Sequence, residues 1–143
     1  MQELGKEDGI EYDFGGDEVA NTLHAHRVSQ FLQDKYSPEH ALAALSFLYE
    51  QYFSQREHPS SASTLVTACL AAGLSQHDAD ALVHDEGNYL RQMKAAIQEQ
   101  AGNGVDSVPY VVFEGKRRKF TLVGAKSGEE YGKVLGQVVK EAG

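Results

Sequence analysis

The sequence predicts an α/β domain in which a strand is followed by about five helices, a β-hairpin and a C-terminal helix. The N-terminal region alternates apolar and acidic residues, which is typical of a half-buried strand. The middle of the chain carries apolar stripes at helical spacing, and a β-branched and aromatic run with a turn lies near the C-terminus. Since 143 residues without repeats or linkers fit one domain, we expect the helices to be an insertion within it.

The first predicted elements are a strand and two helices. Residues 10–14 place isoleucine, tyrosine and phenylalanine at alternate positions and are predicted to form the strand. Asp17 is expected to cap a helix that ends around Tyr36. Ser37-Pro38 then supplies an N-cap and a proline at the first helical position, so a second helix is expected to run from there to just before His58.

Three further helices are predicted before the hairpin. The first is short and is expected to end at Gly73, a suitable residue for the position after a helix C-cap. Ser75 resembles the start of a capping box for the second, and Gly87 separates this helix from a longer third one. The expected buried face of the longer helix consists of Tyr89, Leu90, Met93, Ala96 and Ile97.

The C-terminal region is predicted to form a hairpin and one helix. Residues 110–113 form a β-branched and aromatic run, residues 114–116 supply a turn, and residues 120–123 form the returning strand. Ser127 begins a capping box for a final amphipathic helix through Val139.

Composition excludes several classes of partner. A formal charge of −8 disfavours binding to nucleic acid, because neutralising a phosphate backbone needs clustered cations. The basic run Lys116–Lys119 is interpreted as a solvated edge of the hairpin, with anion binding as the alternative. No apolar run is long enough to cross a bilayer, and residues 1–6 do not resemble a signal peptide. We therefore expect a cytoplasmic protein without a membrane partner.

The cysteine and histidine residues limit the chemistry. Cys69 is the single cysteine, so the sequence holds no Cys-x-x-Cys and no intrachain disulfide. Its apolar neighbours predict a core thiol with a raised pKa. His24 and His26 project about 200° apart on a helix and cannot share one metal ion. We therefore predict no metal site.

Two motifs carry a family resemblance. Asn21-Thr-Leu-His-Ala-His-Arg27 follows the first predicted strand, and Gly104-Val-Asp-Ser-Val-Pro-Tyr-Val-Val-Phe113 precedes a hairpin that ends in Gly124-Ala125. From Gly9 onward the chain resembles the DsbA-like family, in particular its FrnE-type branch. 2-Hydroxychromene-2-carboxylate isomerases and kappa-class glutathione transferases are relatives with the same architecture. The motifs are specific for the fold and not for the reaction.

The resemblance implies an incomplete thioredoxin-like fold with a helical insertion. Residues 1–16 and 103–143 would form the thioredoxin-like sheet and the C-terminal helix, and residues 17–102 the insertion. Pro109 matches the family's cis-proline before the hairpin. The alternative is a trans proline that opens a strand.

The chain departs from the family at its start. The family's first strand and the helix that carries Cys-x-x-Cys should precede Ile10, where nine residues cannot accommodate them. The lost strand is normally central, and its absence would leave backbone groups unpaired at about 1–3 kcal/mol per buried group. Strand rearrangement or pairing with a second copy would satisfy these groups, so we predict a homodimer.

The resemblance and the residue chemistry together give a set of candidate site residues. His26 would move a proton, Arg27 would bind an anionic group of the substrate, and the backbone of Val108 would hydrogen-bond the ligand. The alternatives are a histidine that is solvent-exposed or hydrogen-bonded at a helix interface, and an Asn21 that only caps its helix. The predicted catalytic residues are His26 and His24, and the predicted substrate-binding residues are Asn21, Arg27, Ser107, Val108 and Pro109.

Three functions remain open at this point. The first is a non-redox enzyme, such as an isomerase or cyclase, that acts on a small organic molecule of polyketide type, as in secondary metabolism. The second is a non-catalytic dimeric binding or scaffold module, and the third is a fragment of a longer disulfide oxidoreductase. No cofactor is predicted, and glutathione is implied by the resemblance alone.

Overall fold

The computed structural model of the protein describes residues 2–14 and 20–143. The chain divides into two compact units, Met1–Ala95 and Ala96–Gly143. Within the described residues, no helix combines the length and apolar character needed to cross a membrane. The division into a sheet region and a helical insertion that the sequence suggested stays a prediction.

Seven helices and one hairpin make up the described structure. In chain order they are α1 Gln2–Glu7, α2 Leu23–Lys35, α3 Pro38–Ser54, α4 Ala62–Ala71, α5 Gln76–His84, α6 Leu90–Gly102, β1 Tyr110–Glu114, β2 Lys119–Val123 and α7 Gly128–Ala142. The predicted order of five central helices, a hairpin and a C-terminal helix is confirmed.

The first unit is built by consecutive packing of α2 on α3, α3 on α4 and α4 on α5. Side-chain caps fix three of the helix starts: Ser37, Ser61 and Ser75 each accept a hydrogen bond from the backbone N–H three residues ahead. Gly73 ends α4 with a φ of +93°, as predicted. The core of this unit is apolar and consists of Ala25, Val28, Leu32, Ala41, Ala44, Leu48, Leu65, Ala68, Cys69, Ala72, Leu74, Ala79, Leu82 and Val83.

The strand predicted for residues 10–14 is wrong. These residues form no strand, and the helix α1, which the sequence did not predict, precedes them. The N–H of Asp13 donates to the carbonyl of Phe53 at 2.7 Å, and the rings of Tyr12 and Phe14 stack at 5.3 Å and meet the Phe53 ring edge-on. The alternating aromatic residues thus bury part of their surface against the end of α3 instead of in a sheet.

Two other predictions need correction. The helix that Asp17 was expected to cap begins at Leu23 in the structure, and Asp17 itself lies outside the described residues. The predicted buried face of α6 is also wrong: no residue of α6 is buried, and Ile97 is 47% exposed. The reason is that α6 does not pack extensively along another described element.

The second unit contains the hairpin and α7. β1 and β2 pair antiparallel with Tyr110 opposite Val123 and Glu114 opposite Lys119. α7 packs against β1, where the rings of Phe113 and Tyr131 lie 6.0 Å apart. The predicted capping box at the start of α7 is present. The basic residues 116–119, which form the turn and the first position of β2, are exposed, as expected for a solvated edge.

Candidate functional site

A groove of about 380 Å³ lies between α2 and α3 in the first unit. Its lining consists of His26, Ser29, Gln30, Gln33, Pro38, Ala41, Leu42, Leu45 and Met93. The volume is within the range of pockets that hold small organic molecules. The groove contains one of the two histidines predicted to be catalytic.

The two walls of the groove differ in chemistry. Four polar residues of α2, at positions 26, 29, 30 and 33, line one wall, a spacing that places side chains on one face of a helix. The hydroxyl oxygen of Ser29 is itself buried. The α3 wall presents residues 38, 41, 42 and 45 at the same spacing, and all four are apolar. Leu42 is 64% exposed, so the apolar wall opens to solvent. None of the lining residues is an aspartate, glutamate, lysine or arginine.

The histidines His24 and His26 occupy different sides of α2. His26 is exposed and lines the groove. His24 is 27% exposed, and its Nε2 lies 4.0 Å from Oε2 of Glu86. The Nδ1 atom of His24 is buried and has no hydrogen-bond partner among the described residues. Of these two histidines, His26 lines the groove and His24 does not. The catalytic role of His24 stays a prediction.

Arg27 is fully buried and holds the end of α5. Its Nη1 donates hydrogen bonds to the carbonyl oxygens of Leu82 at 3.0 Å, Asp85 at 3.2 Å and Asn88 at 3.0 Å. Its Nη2 donates to the carbonyl of Val83 at 3.2 Å. Burial lowers the pKa of the guanidinium, although the nearby carboxylates oppose this shift. The role of Arg27 in binding a substrate anion stays a prediction.

Asn21 lies at the start of α2. Its Oδ1 accepts a hydrogen bond from the N–H of Leu23 at 2.9 Å. The N–H of Ala25, in the same first turn of α2, donates to Oγ of Ser60 at 3.2 Å. Asn21 therefore satisfies a helix-terminal N–H that lacks an intrahelical partner, and its role toward a substrate stays a prediction.

The predicted site residues Ser107, Val108 and Pro109 belong to the second unit. The Val108–Pro109 peptide bond is cis, as the resemblance implied. Val108 is 81% exposed. The hydroxyl of Ser107 donates to Oδ1 of Asp106 at 3.2 Å. The substrate-binding roles of these residues stay predictions.

Cys69 is buried in the core of the first unit, and burial raises the pKa of its thiol to about 11. The predicted core position is confirmed, and such a thiol is a poor nucleophile at neutral pH. Across residues 2–14 and 20–143, no cluster of histidine, cysteine, aspartate or glutamate side chains could hold a metal ion.

Sequence reasoning missed most of the groove. It selected His26 but not Ser29, Gln30 or Gln33, which follow it at helical spacing on α2. That spacing was a usable signal, because it places uncharged polar side chains on one strip of the helix. The apolar wall had no separate signal, because Leu42 and Leu45 fit equally well in a core stripe.

Comparison with known proteins identifies related folds. A family model described as the DSBA-like thioredoxin domain matches residues 1–136. Among solved structures, the chain is similar to one from Nitrosomonas europaea described as "a putative protein disulfide isomerase", with a TM-score of 0.79. The two share 14% sequence identity over 99% of this chain and 71% of that chain, so this likeness shows the fold alone. No curated protein matches the sequence.

Proposed function

Because the chain belongs to the DSBA-like thioredoxin domain family and contains one cysteine, we propose that it acts on a small organic molecule by non-redox chemistry. The predicted family and thioredoxin-like fold are confirmed. The proposed reaction is an isomerisation or cyclisation that requires proton transfer. The observation that carries the proposal is that His26 lines a groove with one polar and one apolar wall.

His26 is the proposed proton-transfer residue. It is exposed, and it belongs to the polar wall of the groove, where a bound ligand would meet it. Histidine is the side chain best suited to take up and return a proton near neutral pH. The buried thiol of Cys69 cannot replace His26 as the reactive group, because its raised pKa leaves almost no thiolate at neutral pH.

The walls of the groove define the class of ligand. Hydrophobic side chains of α3 favour a flat apolar body, while Gln30 and Gln33 can hydrogen-bond carbonyl or hydroxyl groups along the α2 wall. The lining contains no lysine or arginine, and residues 1–95 carry six lysines or arginines against fifteen aspartates or glutamates. An uncharged ligand, for example a polyketide-type ketone or phenol, therefore fits better than an anion.

Other predicted features play no part in the proposed reaction. Arg27 donates its hydrogen bonds to backbone carbonyls, so it is not part of the proposed ligand site. A cytoplasmic location and the alternative of a fragment of a longer disulfide oxidoreductase stay predictions.

The test is the exchange of α-protons of 2-tetralone, a neutral bicyclic ketone, in D₂O, followed by proton NMR. Wild-type protein is expected to accelerate the exchange, and His26→Ala is expected to reduce this acceleration at least about tenfold. His77→Ala is the matched control, because His77 is an exposed histidine on α5 outside the groove. Equal rates for the wild type and His26→Ala would contradict the proposal.

A second candidate function is a homodimeric binding or scaffold module without catalysis. It is favoured by the hairpin, since the sheet has two strands within residues 2–14 and 20–143, and the outer edges of such a sheet carry backbone groups without a ladder partner. Light scattering tests it: the predicted result is a mass near twice the 15.7 kDa of one chain. A mass near 15.7 kDa at micromolar concentration would exclude the dimer.

A further inference from the structure

The hairpin ladder defines which backbone groups face outward. At one end, the N–H of Gly124 donates to the carbonyl of Pro109 at 2.8 Å. At the other end, the N–H of Gly115 donates to the carbonyl of Arg118 at 2.9 Å. Both pairs belong to the same register, in which hydrogen-bonded pairs alternate with pairs that exchange no hydrogen bond. These two ends fix the alternation along the whole ladder.

The alternation gives β1 one inward and one outward set of backbone groups. Val111 and Phe113 exchange hydrogen bonds with β2, whereas the N–H and C=O groups of Tyr110, Val112 and Glu114 point away from it. In the described residues the sheet has two strands, so this outward row has no ladder partner there. A two-stranded hairpin is marginally stable by itself and gains from a further strand.

The edge of β1 is better suited to strand pairing than the edge of β2. Its first four residues, 110–113, are uncharged, whereas β2 begins at Lys119, directly after the basic turn residues 116–118. The guanidinium of Arg118 also lies 4.6 Å above the Phe120 ring of β2. Charged side chains at a strand edge commonly prevent pairing with another strand. α7 packs against β1 and supports it from one face.

We propose that β1 pairs antiparallel with β1 of a second copy of this chain, around a two-fold axis at Val112. This inference rests on the proposal that the chain is a homodimer. The axis places Val112 opposite Val112 of the partner subunit, and Tyr110 opposite Glu114 of the partner subunit. All three residues have outward-facing backbone groups, so this register forms about six hydrogen bonds and leaves none of the outward groups unpaired.

The side chains agree with this register. On the face that packs against α7, Val111 lies beside Phe113 of the partner subunit, an aromatic and β-branched pair of the kind that stabilises sheets. On the opposite face, the two copies of Val112, each 45% exposed, cover one another. Both α7 helices then lie on the same face of a four-stranded sheet, where the exposed Leu135 and Val139 add apolar surface.

The test uses proline substitutions at one rung of the ladder. Val112→Pro removes an N–H that points outward from the edge of β1. Thr121 lies opposite Val112 on β2, and Thr121→Pro removes an N–H that points outward from the edge of β2. Each variant keeps the hydrogen bonds within the hairpin, so the two are matched. Light scattering at micromolar concentration is expected to give a dimer for the wild type and Thr121→Pro, and a monomer for Val112→Pro.

Other outcomes overturn one proposal or both. A monomeric wild type overturns the homodimer and this inference together. If Val112→Pro remains a dimer, the interface lies elsewhere, and this inference alone is overturned. The same holds if Thr121→Pro is monomeric while Val112→Pro is dimeric. Circular dichroism establishes that each variant is folded.

A cross-linking experiment covers the case in which both proline variants unfold. Val112→Cys is expected to form a disulfide-linked dimer under copper-phenanthroline oxidation, because residues opposite each other at a hydrogen-bonded pair lie about 5.5 Å apart. Val123→Cys is the control, since Val123 is similarly exposed at 42% on the other strand. Equal rates of cross-linking in the two variants would overturn the proposed register.

Discussion

Arg27 on α2 donates a hydrogen bond of 3.0 Å to the carbonyl of Leu82, which lies 55 residues further along the chain in α5. Three more carbonyls, of Val83, Asp85 and Asn88, accept from the same guanidinium. The last carbonyls of a helix lack intrahelical partners, so a buried cation with several donors is suited to this position. Arg27 thus fixes the end of α5 to the helix that carries His26.

We expect Arg27→Met to lower the free energy of unfolding by about 3 kcal/mol or more, because it leaves buried carbonyls without donors. Arg27→Lys should restore only part of this loss, since a lysine cannot reproduce the planar arrangement of donors. Urea unfolding measures both effects. Arg91→Met is the control, because Arg91 is exposed on α6. Equal, small effects of both methionine substitutions would contradict the assigned role of Arg27.

A substitution at Ser29 tests what it costs to bury an unpaired hydroxyl group in α2. The Oγ atom of Ser29 is buried and has no hydrogen-bond partner among the described residues. Ser29→Ala should therefore raise the free energy of unfolding by about 1 kcal/mol or more. Ser46→Ala corrects for helix propensity, because Ser46 is an exposed serine within α3. If both substitutions raise stability by the same amount in urea unfolding, the hydroxyl of Ser29 carries no burial penalty.

The buried thiol of Cys69 should make the free energy of unfolding depend on pH in the alkaline range. Burial raises the pKa of its thiol from an ordinary value of 9.0 to about 11. The fold therefore favours the protonated thiol, and this contribution is complete below pH 9 and is lost as the pH rises toward 11. Relative to Cys69→Ala, the wild type should lose roughly 2–3 kcal/mol of unfolding free energy across this range. A difference between the two proteins that stays constant from pH 8 to pH 11 in urea unfolding would contradict the prediction.

Two glycines in the second unit should respond in opposite ways to alanine. A Cβ at Gly115 would lie 2.8 Å from the carbonyl oxygen of Arg118 and 2.5 Å from Oε2 of Glu141, so Gly115→Ala should cost about 1–3 kcal/mol. A Cβ at Gly136 on α7 would meet nothing within 4 Å, so Gly136→Ala should stabilise the helix by about 0.5–1 kcal/mol. Thermal unfolding compares the two, and a stabilising Gly115→Ala would show that the turn is looser than described.

The elements that the sequence predicted well are those with local signals. Ser37 with the following proline, and the capping box at Ser127, mark helix starts through residues only a few positions apart. The predicted strand at residues 10–14 failed because its alternating pattern has two structural solutions. Aromatic packing against Phe53 satisfies the pattern without a sheet, and local sequence does not distinguish the two.

The candidate site was predicted only in part because its geometry depends on tertiary contacts. The chemistry of His26 is visible in the sequence, but the groove exists because α2 and α3 pack side by side. The hydrogen bonds of Arg27 join residues more than 50 positions apart, a distance that no local motif encodes. No local pattern could therefore predict that Arg27 donates to the end of α5 and the residues after it, and its role toward a substrate anion stays a prediction.

Ligand binding in the α2–α3 groove is tested most directly by an NMR titration of ¹⁵N-labelled protein with 2-tetralone, with 2-naphthoate as an anionic probe of similar size. We expect saturable shifts for the amides of His26, Gln30, Leu42 and Leu45 with the neutral ketone, weaker binding of the anion, and loss of both responses in Leu42→Glu. Shifts that are absent from the α2–α3 groove, or that are larger for 2-naphthoate, would contradict this expectation.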